Sequence, residues 1–230
     1  MAVEFMAQTS LTLCGKVLCM TPTDDEELPL VDPAESLRLI KRERANLERE
    51  LTPDPRLMYW PWGIAWLLGF GLLFLRFGPD GRVFVDLPAW LPLTLLSLSF
   101  IAAGAVTGAV GARSAMQTRG PSSRQGLMYG LTWSIAFFGM SMLFVQFGDS
   151  LPDAKLGLLW AGGLVALAGA LHMAGGAIWN DRQLFILGAW TSVINMAGVL
   201  AGPGWHSLIV AIAGGGGMLL FGLLGWLKRR

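Results

Sequence analysis

The chain has 230 residues, 53% of them hydrophobic and only 14% charged. An average soluble domain carries about 25% charged residues, so this is not the composition of an ordinary soluble domain. The net charge of +1 gives no basic excess for nucleic acid, and information lies in where the charges fall rather than in their sum.

The chain opens on Cys14 and Cys19, with no CxxC between them. Two cysteines at that spacing make no zinc site. "LTLCG" has Leu13 where a lipid-attachment signal needs a small residue, and no basic stretch or long apolar run precedes it. From Met20, "MTPTDDEELP" reads as an acidic, proline-containing disordered start. Residues 1–32 are therefore read as a leader, with Met20 a candidate translation start and 1–19 lying before it.

A helix is predicted over 33–51. Asp32 can cap it, Pro33 suits the first helical position, and Glu35 stands three after the cap. "TPDP" stops it. Leu37, Ile40, Leu47 and Leu51 form a narrow apolar stripe, interrupted by Arg44, and basic and acidic residues alternate elsewhere. Such a helix lies on a membrane surface or docks a protein partner. The acids nearly cancel the bases, which argues against nucleic acid as a partner.

Beyond Arg56 the apolar runs reach the roughly 20 residues a span requires. Six spans are predicted, at about 57–76, 88–112, 127–147, 156–179, 184–201 and 205–227. The last two come from one long uncharged run divided at "AGPGWHS". A basic tail, 228–230, follows. The basic residues set the orientation. With the amino end inside, eight of them flank the inner side (Arg56, Arg113, Arg119, Arg124, Arg182, Lys228, Arg229, Arg230) and three the outer (Arg76, Arg82, Lys155). Both termini are expected in the cytoplasm, and the protein in the plasma (inner) membrane. The fold class is all-α, an integral membrane protein with six transmembrane helices and a short N-terminal cytoplasmic amphipathic helix.

Charges inside a bilayer are costly and usually functional. The span cores contain none, which argues against ordinary proton coupling. The few polar residues that remain include His172, Asn195 and Gln146, candidates for a pocket or for interhelical hydrogen bonds, and small hydroxyls at Ser97, Ser99, Thr107, Ser134 and Ser141. His206, after the Pro-Gly turn, is expected at the outer interface beside Trp205. A single mid-span His without Cys, Met or a second His is a poor metal site, so neither metal nor cofactor is expected. Acids are confined to loops, so no nucleophile–His–acid set can be assembled and no enzyme is expected. Gly104 and Gly108 form a GxxxG face, and Gly162, Gly163, Gly215 and Gly216 mark further small faces for close helix packing.

"DPRLMYWPWGIAWLLGFG", "WAGG…HMAGGAIW" and "GAW…N…AGVLAGPGWHSL" resemble a group of uncharacterised actinobacterial membrane proteins, often loosely labelled transporter. The resemblance covers roughly residue 33 to the end. It implies a short charged helix followed by about six spans, and an association with small regulators. It transfers no catalytic residue. Two functions follow as expectations. One is a small transporter or permease-like subunit with a pocket near His172 and Asn195, working as an oligomer or with an ATPase. The other is a membrane-anchored regulatory or scaffold protein that holds a cytosolic partner through helix 33–51.

Overall fold

A computed structural model describes residues 32–51, 53–117, 121–148 and 150–228. The leader with Cys14, Cys19 and Met20, Arg119, and the last two residues of the basic tail lie outside them. So do the side chains of Arg44, Leu47 and Leu51. The chain forms two units, residues 1–46 and 47–230.

In the first unit lies most of helix α1 (Pro33–Leu51). Asp32 starts it as its sequence requires: Oδ1 accepts the Ala34 N–H at 3.0 Å, and its carbonyl accepts from Glu35 and Ser36. Leu37 and Ile40, one turn apart, are 57% and 63% exposed.

The second unit is six helices joined by short connections. They are α2 (Pro55–Arg76), α3 (Trp90–Gln117), α4 (Pro121–Gly148), α5 (Asp153–Trp179), α6 (Arg182–Ala201) and α7 (Trp205–Leu227). All six are long and apolar enough to cross a membrane, and no strand occurs among the described residues. The all-α, six-span class is thus the observed one. Aspartates set two of the starts. The Asp54 carboxylate accepts the Arg56 N–H at 2.9 Å, and Asp181 accepts from Gln183 and Leu184. "TPDP" therefore both ends α1 and begins α2, with Pro55 in the first turn where its missing N–H costs nothing. The last apolar run does divide in two. Gly202 and Gly204 take φ of 90° and 84°, which side chains resist, and reverse the chain between α6 and α7.

Helix α7 is the centre of the bundle, packed on α2 and on α6. Helix α5 packs on α6, α3 chiefly on α2, and α4 chiefly on α5. The core is built from Trp66 and Phe70 of α2, Val165 of α5, Leu187 of α6, and Val210, Ala211 and Met218 of α7. Glycines decide how closely these helices lie. A Cβ on Gly176 would sit 2.5 Å from the Phe185 backbone nitrogen, and one on Gly188 2.5 Å from that of Met173. Gly162, Gly163 and Gly215 are likewise filled by neighbours. Gly104, Gly108 and Gly216 differ: a Cβ on any of them meets nothing within 4 Å. The GxxxG face of α3 therefore closes on no other part of the described chain.

Helix α7 is not uniform. An α-turn (Trp205–Ile209) leads into a π-helical segment (Val210–Gly215) and then an α-helix (Gly216–Leu227).

Candidate functional site

The buried polar side chains gather where α5, α6 and α7 meet. Asn195, 5% exposed on α6, donates its Nδ2–H to the Gly162 carbonyl of α5 at 2.9 Å. Its Oδ1 lies 2.9 Å from Nε2 of His206, which is 1% exposed in the first turn of α7. A carbonyl oxygen can only accept, so the amide nitrogen must face Gly162 and the amide oxygen must face His206. Nε2 of His206 then carries the proton and donates it. One hydrogen-bonded line thus joins three helices.

Local sequence explains the approach. The Gly202–Gly204 turn brings α7 back alongside α6, and the His206 N–H bonds the Gly202 carbonyl at 3.0 Å. A Cβ on Gly198 would lie 2.9 Å from Cδ2 of His206, so only glycine leaves the imidazole its place. Phe70 of α2 meets the ring edge-on, with centroids 6.4 Å apart. Thr191, one turn before Asn195 and 1% exposed, has an Oγ1 without a hydrogen-bond partner.

His172 does not join this cluster. Its Nδ1 lies 2.7 Å from the Ala168 carbonyl of its own helix, and its ring stands edge-on to Trp133 of α4 at 5.0 Å. Ten residues of α-helix separate it from Gly162, about 15 Å of rise. The expected pocket with both His172 and Asn195 in it is not built. Gln146 is exposed near the end of α4. His206, expected at the interface, is instead the partner of Asn195. No local pattern marked this pairing: His206 stands only two residues beyond the Gly202–Gly204 turn, and its meeting with Asn195 depends on how closely α7 packs on α6.

Three aromatic side chains act as interhelical donors, a role the sequence did not reveal. Trp190 of α6 donates its indole N–H to the Ala213 carbonyl in the π segment at 2.9 Å. Trp60 of α2 donates to the Leu219 carbonyl at 3.1 Å. The Tyr129 hydroxyl of α4 donates to the Leu171 carbonyl of α5 at 2.6 Å. At the end of the bundle where α2 begins, the Arg56 guanidinium pairs with Asp54 at 2.8 Å and stands 4.7 Å from the Trp226 ring centroid.

Among the described residues no group of three or more His, Cys, Asp or Glu is placed to hold a metal ion. The polar cluster fixes three helices to one another. Its amide has both ends engaged by protein, and Thr191 is the member with a group left over. Comparison with protein-family models, with characterised proteins and with solved structures gave no match.

Proposed function

We propose that the protein works in a lipid bilayer, which the apolar exteriors of its six membrane-length helices call for. We propose that it is a non-catalytic plasma-membrane docking protein, whose six-span bundle anchors α1 on the cytoplasmic side for a soluble regulator or ATPase subunit. The observation that carries this reading is the Gly162–Asn195–His206 line. The Asn195 amide and the His206 Nε2–H, the strongest polar groups there to recognise a cargo, are already bound to protein, within hydrogen-bonding distance at each step. A carrier needs such groups free at mid-membrane.

Two further features support it. Leu37 and Ile40 leave an apolar stripe on α1 open among charged residues, which suits a protein with an apolar groove rimmed by both signs of charge. The excess of basic residues on one set of flanks favours a cytoplasmic α1 by the positive-inside rule. The resemblance to six-span actinobacterial proteins associated with small regulators belongs to this proposal.

The test is a mild-detergent pull-down of the full chain with and without residues 33–51, read by mass spectrometry. The expected result is a cytosolic regulator or ATPase retained only when the helix is present. Equal retention by both forms, or retention of nothing cytosolic by either, overturns the docking reading. A carrier reading keeps one observation in its favour: the π segment breaks the regular backbone of α7 within its span, where transporters use irregular helix for binding. It predicts substrate uptake that Asn195→Ala abolishes.

A further inference from the structure

Helix α7 is anchored on both sides of its π segment. Before it, His206 bonds Asn195, and the segment's first residue, Val210, is fully buried. After it, a Cβ on Gly222 would lie 2.6 Å from Trp60, and one on Gly225 2.9 Å from Pro55. Both registers belong to contacts with little tolerance. In a regular α-helix one residue more or less turns everything downstream by about 100° and shifts it by about 1.5 Å. A π segment takes up an extra residue without that turn, so it reconciles the two anchors.

Among the described residues a single side chain from outside α7 is bonded to this segment. Trp190 donates to the Ala213 carbonyl at 2.9 Å, and the same carbonyl accepts the Gly216 N–H. Gly217 makes room for the indole, since a Cβ there would lie 2.7 Å from its Nε1. Trp190 is itself 43% exposed, so this clamp stands at the lipid-facing edge of the bundle rather than in its core. The four consecutive glycines from Gly214 to Gly217 lower the local cost of changing helix type.

We infer that Val210–Gly215 is a two-state joint, held in its π register by the Trp190 indole. In its second state the extra residue has moved along α7, and the segment from Gly222 to Leu227 has turned against the start of α2. That segment carries Trp226, over which the Arg56 guanidinium sits at 4.7 Å, and Gly225, which faces Pro55. Pro55 follows the last residue of α1 by four positions. The joint is thus a means of passing a change at the lipid-facing edge to the segment that leads into α1. Its use in regulation rests on the docking reading; its existence does not.

The experiment is hydrogen exchange of the full chain in lipid nanodiscs, read by mass spectrometry without any partner. It compares the native protein, Trp190→Phe, and a variant lacking Ile212, a lipid-exposed residue of the π segment. Trp190→Phe keeps the ring and removes the donor. Exchange over 211–217 is expected to rise about three- to twentyfold, the range for one interhelical hydrogen bond in lipid, with a smaller rise over 55–60. Removing Ile212 takes out the extra residue, leaves both anchors in register, and slows exchange over 211–217. Unchanged exchange in Trp190→Phe overturns the joint, as does a rise over 211–217 with none over 55–60. If the deletion unfolds the chain, Trp190→Phe alone decides. Failure of the docking reading shows separately, in the pull-down.

Discussion

Replacing Asn195 with Ala tests the polar line at its centre. The substitution removes two interhelical hydrogen bonds, Nδ2–H to the Gly162 carbonyl and Oδ1 from His206, each 2.9 Å long. Such bonds in a bilayer average about 0.6 kcal/mol and reach about 1.7. It also strands the His206 Nε2–H in a site 1% exposed, where an unmet donor costs about 1–3 kcal/mol. The expected loss is about 3 kcal/mol. His206→Phe keeps a ring of similar size, loses one bond and strands Oδ1, for about 2 kcal/mol by the same terms. The double variant strands neither group. It should therefore be more stable than the two losses added together imply, by a coupling of about 3 kcal/mol, the upper end of the range for groups in contact. The assay is unfolding in mixed micelles with a rising fraction of SDS, followed by tryptophan fluorescence. Additivity within about 0.5 kcal/mol would refute the assignment of these two side chains to one bonded line.

The glycines give a paired test. Gly176→Ala, whose Cβ meets backbone at 2.5 Å, should cost about 1–3 kcal/mol, whereas Gly108→Ala, with nothing within 4 Å, should be neutral or gain up to about 1 kcal/mol of helix propensity; the same unfolding assay separates them. Should Gly108→Ala prove strongly destabilising, the α3 face closes on something outside the described chain, and sedimentation in detergent would show whether that is a second copy. Tyr129→Phe removes the bond to the Leu171 carbonyl and should loosen α4 from α5 by about 0.6–1.7 kcal/mol, seen as faster exchange confined to those helices. Ile40→Asp places a charge on the exposed stripe of α1 and should abolish partner retention while leaving the unfolding midpoint of the bundle unchanged; retention at the native level would count against docking through that face.

The spans were legible because the bilayer imposes a length and a polarity on each segment separately. Runs of about 20 apolar residues, Asp32 before Pro33 and the glycines around Pro203 are local signals. They located α1 and six membrane-length helices to within a few residues at most ends; α3 and α4 run further, because helical hydrogen bonding continues past the apolar stretch into Arg113 and Arg124. Asn195 was legible as a polar group in need of a partner, since lipid offers none. Which partner it takes depends on how helices cross, and no local signal carries that. The sequence alone placed Asn195 with His172, which lies ten residues along α5 from the Gly162 carbonyl that Asn195 bonds, and placed His206 in the interface. Tertiary structure put His206 against Asn195 because Gly198 and Gly162 let the helices approach closely enough for an imidazole to fit between them. The π register of α7 is of the same kind: Gly214–Gly217 mark a place where the helix can break, but they do not reveal that an extra residue is taken up there. It exists because two ends of one helix must each meet neighbours whose positions are fixed by other parts of the chain.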